Sequence, residues 1–456
     1  MPETSPQPNV TVEDRNLYST RFWLLVVLSG LGAGICGGLL MRLLRTIEYL
    51  AYRYRSGDFL DGVAAAAPQR RVAMLLGAGI IAGIAGYALP RLLRAKPVGL
   101  NSAIWFRSGR MPLLATVLHA VESIVIVGMG VSLGREGALK DTAGALASQL
   151  SDWFSLSDEQ RRLLVACAAG AGMAAAYNIP FGGALFAVEV LLGTLSFSMV
   201  LPALAASMVG TAASWLLLPN EPAYSVPVYV LHPADLLWAL LAAPFFGVAA
   251  VLWVRALGWA QTRKPQGWHA LAAPVAVFTL VGVVAIWFPD LLGNGKGLVQ
   301  RAFVDELDLK LLGSLLVLRL LATAGCLATG APGGVFTPTM TFGALLGGGL
   351  GRIWAVVWAQ GGPTAAAAPD IGAFAAIGSA AVLAVATQGP ISAIVMVMEL
   401  THHVDAIMVP ILLATVGAAL TTSRMGCRSV YSASTATPTE ISPTEAISAP
   451  VGRSPR

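Results

Sequence analysis

The chain has 456 residues, of which 56% are hydrophobic and only 12% are charged, and its mean hydropathy is +0.71. Length alone would allow about two or three soluble domains, but this composition excludes them and indicates a polytopic membrane protein. The net charge of +5 suits loops that favour one side of a membrane rather than a nucleic-acid surface. The cysteines form no C-x-x-C pair, so we expect neither a disulfide framework nor structural zinc.

In chain order, composition divides the sequence into five segments. We predict a cytoplasmic N-terminal segment at 1–21, a first membrane repeat at 22–218, an inter-repeat loop at 219–233, a second membrane repeat at 234–433 and a disordered tail at 434–456. The N-terminal segment carries acids and no basic stretch before a cleavage site, so we expect Phe22 to begin a retained first span. The last segment is rich in Ser, Thr and Pro, a composition typical of disorder.

Apolar runs mark the candidate membrane segments. In the first repeat they lie near 22–41, 72–90, 113–133, 143–150, 163–188 and 194–218. In the second repeat they lie near 236–254, 271–288, 311–329, 335–350, 371–385, 391–398 and 406–420. Several are too short or too rich in glycine to cross a bilayer of about 30 Å alone, which predicts broken and re-entrant helices covered by other parts of the protein.

A stretch at 131–144, VSLGREGALKDTAG, interrupts these runs with four charged residues, Arg135, Glu136, Lys140 and Asp141. Charges at membrane depth are costly and therefore mark a transport pathway. The alternative interpretation is a short polar loop between two spans.

Two glycines, Gly134 and Gly137, bracket the Arg-Glu pair of this stretch. They allow the backbone to turn sharply and to bring its N–H groups close to a ligand. The apolar run resumes at Ala143, which predicts a helix that begins at about Glu136. A helix that begins inside the membrane directs its positive end and its free N–H groups at an anion.

The two halves of the chain also contain matching segments. Glu189 follows Pro180 by nine residues, and Glu399 follows Pro390 by nine residues. A glycine-rich turn precedes each pair in the same order. Two halves with matched interrupted segments indicate a transporter with its binding site at the interface between repeats.

These segments resemble those of the CLC family of chloride channels and chloride/proton exchangers. The sequence at 134–137 resembles the family motif G-R-E-G-P, with Ala138 in place of proline, and 334–338 matches G-x-F-x-P. The segments at 177–180 and 398–401, the helix of Glu189 and the tyrosine Tyr431 are similar to family segments as well. The resemblance covers residues 22–433 in order.

The resemblance implies an all-α polytopic membrane protein with a CLC-type two-fold repeat, inverted, that contains broken and re-entrant helices. It implies a homodimer with a separate anion pathway in each subunit, and two half-helices, beginning at Glu136 and Phe336, that face the bound anion. The backbone amides of Val335 and Phe336 and the hydroxyl of Tyr431 would hold the central ion. Glu136 would be the gating glutamate, whose carboxylate competes with anions for an outer site.

The expected site residues follow from the same resemblance. Those expected to bind the anion are Arg135, Gly137, Val335, Phe336, Thr337, Tyr431, Leu100 and Ser102. Glu189 and Glu399 are expected to be structural acids. We expect no catalytic residue, no metal site and no cofactor, with chloride as the transported ion.

Three features depart from the family pattern. The family's G-S-G-I-P segment corresponds to 96–104, where Leu100 takes the place of the anion-coordinating serine and Asn101 or Ser102 would have to supply a polar group. Exchangers carry an inner proton acid at the position of Val190, and Glu189, one residue earlier, would lie about 100° round the same α-helix. We also expect a short form without C-terminal regulatory nucleotide-binding domains.

Three functions remain open from the sequence. Val190 favours a passive chloride channel of the bacterial inner membrane, voltage-gated as in the family, which would serve as an electrical shunt in acid stress. The alternatives are a proton-coupled chloride exchanger or a relative selective for another small anion. A membrane-embedded enzyme is disfavoured because the sequence contains neither H-E-x-x-H nor G-x-S-x-G.

Two polar pairs outside these motifs have a functional and a structural interpretation. His119 and Glu122 lie on one face of a span and would form either a proton relay or a buried polar pair. His402 and His403 lack acidic or thiol neighbours in sequence, which favours a pair at a helix end over a metal site.

Overall fold

The computed structural model of the protein describes residues 19–54, 58–93, 97–230, 233–359, 370–402, 405–423, 425–426 and 429–432. The predicted tail at 434–456, most of the predicted N-terminal segment, His403 and Cys427 lie outside the described residues.

The fold consists of helices, most of which overlap the predicted apolar runs. The first half contains α1 (Thr20–Tyr52), α2 (Phe59–Ala65), α3 (Pro68–Leu92), α4 (Leu100–Phe106), α5 (Leu113–Gly128), α6 (Glu136–Trp153), α7 (Asp158–Tyr177), α8 (Pro180–Leu185) and α9 (Phe197–Ser214). The second half contains α10 (Pro233–Gln261), α11 (His269–Val284), α12 (Lys296–Phe303), α13 (Leu309–Ala328), α14 (Phe336–Ala359), α15 (Ile371–Thr387), α16 (Pro390–Thr401) and α17 (Met408–Thr422). A π-helix, Phe186–Leu191, continues α8, and short 3₁₀ turns lie at Pro289–Leu291 and Asp405–Ile407.

The predicted all-α membrane architecture is confirmed. Within the described residues, six helices are long and apolar enough to cross a membrane: α1, α3, α9, α10, α13 and most of α14. The other apolar helices are shorter, with 10–17 residues. They pack against neighbouring helices, which is the condition under which short helices persist at membrane depth.

One predicted apolar run is interrupted. The run 163–188 breaks at Asn178, which adopts a left-handed conformation with φ of 59°. Pro180 then begins α8. A turn residue and a proline, rather than hydrophobicity, set the helix ends here.

The helices of the two halves are related as matched repeats. Helices α6 to α9 in the first half correspond in order to α14 to α17 in the second. Asn178 ends α7 in a left-handed conformation, and Gln388 ends α15 in the same way, with φ of 60°. A proline opens the next helix in each case, Pro180 in one half and Pro390 in the other.

Glu189 and Glu399 connect the two repeats reciprocally. The carboxylate of Glu189 accepts hydrogen bonds from the backbone N–H groups of Ile391, at 3.1 Å, and Ser392, at 2.6 Å, in the first turn of α16. The carboxylate of Glu399 accepts from the backbone N–H groups of Phe181, at 3.0 Å, and Gly182, at 2.6 Å, in α8. Each acid therefore neutralises the positive end of the partner repeat's short helix.

Several helix N-termini outside the central region carry ordinary side-chain caps. Ser157 and Gln160 form a reciprocal capping box at α7, and the side chain of Asp370 accepts from the first N–H groups of α15. By contrast, α6 begins at Glu136 without any side-chain cap. Its free N–H groups are therefore left for another partner.

Candidate anion-binding site

The N-termini of α6 and α14 meet at the centre of the molecule. The backbone N–H of Gly134 donates to the carbonyl oxygen of Gly334 at 2.7 Å, and the N–H of Gly334 donates to the carbonyl oxygen of Gly134 at 2.6 Å. The pairing is antiparallel, so the two turns run in opposite directions, as expected for inverted repeats. The structure thus brings together the two glycine-rich turns that the sequence singled out, and α6 begins at Glu136 as predicted.

The side chain of Glu136 is fully buried and lies at the first turn of α14. Its Oε1 atom accepts hydrogen bonds from the backbone N–H of Phe336, at 2.6 Å, and of Thr337, at 3.2 Å. These are two of the donors that a helix leaves unsatisfied at its N-terminus. Because such donors also bind inorganic anions, the carboxylate oxygen stands where a small anion would be bound.

Two hydroxyl groups complete the surroundings of this carboxylate. Tyr177 Oη and Thr337 Oγ1 each lie 3.3 Å from Glu136 Oε2. The two hydroxyls are also hydrogen bonded to each other, at 2.7 Å. The same backbone and hydroxyl donors can hold either a carboxylate or a chloride ion, but not both at once.

A larger cavity of about 420 Å³ lies on one side of Glu136. Its lining includes the predicted residue Arg135, together with Tyr177, Arg45 and Lys296. The guanidinium carbon of Arg135 lies 4.9 Å from the centroid of the Tyr177 ring. The three basic side chains of this lining are matched by three acidic ones, Glu48, Asp58 and Glu221.

A smaller cavity of about 140 Å³ lies on the other side. Five of the predicted anion-binding residues line it, and they come from four separate parts of the chain: Leu100, Ser102, Gly137, Val335 and Tyr431. Asn101, the other candidate polar group of this segment, lines the cavity too. The Tyr431 ring packs edge-on against Phe186, with the ring centroids 5.7 Å apart.

Glu136 separates the two cavities. Its neighbour Arg135 lines the larger cavity and its other neighbour Gly137 lines the smaller one, while Glu136 itself is closed off from both. The remaining predicted residues, Phe336 and Thr337, contact the carboxylate directly. The side chain of Glu136 therefore lies between the two cavities, against the N-terminus of α14.

Comparison with known proteins identifies the family. The family model described as voltage gated chloride channel matches residues 100–423, which include both glycine-rich turns. The chain belongs to this family.

Individual members of the voltage-gated chloride channel family are similar over most of the chain. The voltage-gated ClC-type chloride channel ClcB of Salmonella typhi is 27% identical over 387 residues, which cover 83% of this chain and 90% of that protein. The H(+)/Cl(-) exchange transporter ClcA of Cronobacter sakazakii is 30% identical over 321 residues, which cover 67% of this chain and 66% of that protein. The fold is similar to a crystal structure of a slow cyanobacterial Cl-/H+ antiporter, with a TM-score of 0.78, 19% identity and coverage of 91% and 97%.

The region of Val190 differs from the sequence-based expectation in its helix type. Residues 186–191 form a π-helix, so the α-helical angle of about 100° between Glu189 and Val190 does not apply there. Both carboxylate oxygens of Glu189 accept backbone hydrogen bonds from α16. Val190 packs beside Gly389, where an added Cβ atom would lie 2.5 Å from its Cγ2. Glu189 is thus engaged with α16.

The pair His119 and Glu122 is in contact, with 3.4 Å between Nδ1 and Oε2. Glu122 is buried, and neither residue lines the larger or the smaller cavity. The pair therefore lies apart from the pathway through Glu136.

Sequence reasoning assigned no individual role to Lys140, Asp141 or Lys296, which line the cavities. Lys140 and Asp141 line the smaller cavity, and Lys296 lines the larger one. The signal for the first two was present, because both belong to the charged stretch after Glu136. Lys296 belongs to a glycine-rich sequence, GNGKG. This sequence does not indicate that Lys296 shares the lining of the larger cavity with Arg135.

Proposed function

We propose that the protein is a chloride-selective anion channel of the bacterial inner membrane and that Glu136 is its gate. One observation carries the proposal: the Glu136 carboxylate accepts hydrogen bonds from the backbone N–H groups of Phe336 and Thr337 at a helix N-terminus. A side chain that occupies an anion-binding position excludes the anion until it leaves.

Gating follows from competition between two negative charges. When Glu136 is ionised, its carboxylate is held by two N–H groups and two hydroxyls, and the pathway is closed. Protonation removes the negative charge that these donors stabilise, so the side chain can be displaced by chloride. The chloride would enter from the larger cavity beside Arg135, pass the amides of Val335 and Phe336, and leave through the smaller cavity beside Tyr431.

The names of the relatives support anion transport but point to two mechanisms. The relative from Salmonella typhi is named a chloride channel, and the one from Cronobacter sakazakii an H(+)/Cl(-) exchange transporter. The channel is favoured here by Val190, because a valine side chain binds no proton. Glu189, its neighbour, is better suited to a structural role, as is Glu399, because two N–H groups hold each carboxylate.

Proton-coupled exchange is the second candidate, and the position of Asp141 favours it. This acid lines the smaller cavity, so a titratable group is present on that side of Glu136. Selectivity for another small anion is a further alternative, because Leu100 lines the same cavity without a hydroxyl group.

Simultaneous measurement of chloride and proton movement separates the channel from the exchanger. The purified protein is reconstituted in liposomes under an outward chloride gradient, and chloride efflux and internal pH are followed together. A channel releases chloride when a potassium ionophore lets potassium ions leave as well, because this prevents a membrane potential from stopping the efflux. It moves no protons uphill. Uphill proton movement at a fixed ratio to chloride would assign the protein to the exchangers. If that movement is lost in D141N, Asp141 supplies the inner proton step.

The biological setting is part of the same proposal. We expect a multi-pass homodimer in the inner membrane, with one pathway in each subunit and no enzymatic activity or cofactor. A channel opened by protonation of Glu136 would carry chloride when the outside is acidic, which fits an electrical shunt in acid stress.

A further inference from the structure

Helices α3 and α11 pack closely in opposite directions. A Cβ atom added at Gly79 would lie 2.7 Å from the Cα atom of Val275, and one added at Gly83 would lie 2.4 Å from the carbonyl oxygen of Leu271. The contact moves back by four residues in α11 for every four residues forward in α3, so the two helices are antiparallel. The last turns of α3 therefore lie beside residues 259–269, which we call the α10–α11 hairpin.

Each side of this junction carries an arginine that lies against an aromatic ring. The guanidinium carbon of Arg91, in the last turn of α3, lies 3.6 Å from the centroid of the Tyr87 ring. In the hairpin, the guanidinium carbon of Arg263 lies 4.9 Å from the centroid of the Trp259 ring. All four side chains are exposed, and so is Trp268 in the same hairpin. Tyrosine and tryptophan concentrate where hydrocarbon meets lipid headgroups, so this junction lies at the membrane interface.

No acidic side chain neutralises the two arginines. Across the part of the chain that the structure describes, neither Arg91 nor Arg263 takes part in an ion pair. Arg91 donates to the carbonyl oxygen of Tyr87, but a guanidinium group has five N–H donors. The sequence contains no Asp or Glu at 62–121, which includes α3, or at 236–289, which includes α11. The positive charge of the junction is therefore unbalanced, in contrast to that of the larger cavity.

The junction lies on the side of the protein that we predict to face the cytoplasm. Gln261, in the hairpin, lines the smaller cavity together with Lys140 of α6. From there α6 continues to Trp153, and the next residue, Phe154, accepts a hydrogen bond from Arg21 at the start of α1. The hairpin and the start of the chain's first span thus lie on one side of the membrane. Anionic lipids of the cytoplasmic leaflet attract basic side chains at this level.

An apolar surface continues from the arginines toward the membrane interior. Ile80 and Ile84 of α3 are 44% and 55% exposed, and Leu271 of α11 is 42% exposed. A fatty acyl chain can lie along these side chains while its headgroup stays beside the arginines. A soluble anion such as free phosphate would gain nothing from this surface, so the combination favours a lipid.

We propose that the junction of α3 with the α10–α11 hairpin binds an anionic phospholipid. The headgroup phosphate accepts hydrogen bonds from Arg91 and Arg263, whose planar guanidinium groups match the oxygens of a phosphate. One acyl chain lies along Ile84 and Leu271. The proposal is independent of the proposed function, because it concerns what the protein binds and not what it transports.

Substitution of the two arginines makes the proposal specific. R91Q, R263Q and the double variant R91Q/R263Q remove positive charge at exposed positions. K310Q is the control, because Lys310 is also exposed but lies in the first turn of α13, outside the junction. Binding is measured by native mass spectrometry of the purified full-length protein, titrated with phosphatidylglycerol, with phosphatidylcholine or with inorganic phosphate.

The expected result is a loss of affinity that is specific for the anionic lipid. The Kd for phosphatidylglycerol should rise about fivefold in each single variant, which corresponds to about 1 kcal/mol per charge, and about 25-fold in the double variant. K310Q should bind as the wild type does. Phosphatidylcholine, whose headgroup has no net charge, should bind weakly and equally to every form. Phosphatidylglycerol should also raise the unfolding temperature of the wild type but not that of R91Q/R263Q, because a ligand of the folded state stabilises it.

Three results would overturn the proposal. The first is an unchanged Kd for phosphatidylglycerol in a folded R91Q/R263Q. The second is equal affinity of the wild type for phosphatidylcholine, which would mean that the junction does not recognise charge. The third is displacement of phosphatidylglycerol by an excess of inorganic phosphate, which would assign the arginines to a soluble anion. Should the double variant fail to fold, the single variants decide, since an unchanged Kd in both contradicts the lipid site.

Discussion

The backbone N–H of Phe336 donates to Glu136 Oε1 at 2.6 Å, across two hundred residues of sequence. The contact joins a side chain at the start of α6 in the first repeat to the start of α14 in the second. Because the hydrogen bonds between Gly134 and Gly334 fix the two turns against each other, the carboxylate needs little rearrangement to reach this position.

Removing one hydroxyl beside Glu136 should favour the open pathway. Y177F deletes the donor that lies 3.3 Å from Glu136 Oε2 and 2.7 Å from Thr337 Oγ1. We expect the closed state to lose about 1 kcal/mol, so that chloride flux at neutral pH rises roughly fivefold. Flux of radioactive chloride from liposomes measures the effect. Y229F is the control, because the hydroxyl of Tyr229 donates to the carbonyl oxygen of Phe303 and neither residue lines a cavity. Equal flux in both variants and the wild type contradicts a role of Tyr177 in holding the gate.

A methyl group at Gly334 should expel the carboxylate. A Cβ atom added there would lie 2.5 Å from Glu136 Oε1, which is shorter than any tolerated contact, and the flexible acid is the group that can move. We expect G334A to conduct chloride at neutral pH with a weakened response to acid. G349A serves as the control, since its added Cβ atom meets nothing within 4 Å. A closed and normally acid-activated G334A would show that the position of the carboxylate is not what closes the pathway.

Loss of either reciprocal acid should destabilise the protein without changing its gating. E189Q and E399Q each replace a charge-assisted acceptor of two N–H groups with an amide, which costs about 1 to 3 kcal/mol. We expect both variants to unfold at lower temperature in detergent and to keep the pH dependence of chloride flux. E306Q, at an exposed position, should leave the unfolding temperature unchanged. A stable E189Q with altered proton movement would instead place Glu189 in a proton pathway.

Part of this arrangement was predictable from sequence because the signals are local. The glycines around Arg135 and Glu136 and the return of apolar residues after them located the start of α6. The nine-residue spacing from proline to acid located both short helices. These patterns depend on backbone freedom and helix capping within a few residues.

The remaining features depend on contacts between distant segments. Nothing near Glu189 indicates that its carboxylate is held by Ile391 and Ser392, because the partners belong to the other repeat. The π-helix that contains it has no simple sequence signature either. Lys140 was visible as a charge, but its position against Tyr431 is set by the packing of the last described residues of the chain.

The pH dependence of chloride flux in E136Q tests the central claim most directly. Glutamine keeps the shape of the protonated acid and carries no charge at any pH, so its hold on the N–H groups of Phe336 and Thr337 is weak throughout. Wild-type flux, measured with radioactive chloride in liposomes, should rise as the pH is lowered, because protonation of the carboxylate removes the charge that the N–H donors hold. Flux through E136Q should be high and nearly independent of pH. If E136Q keeps the wild-type dependence on pH, the gate is not Glu136.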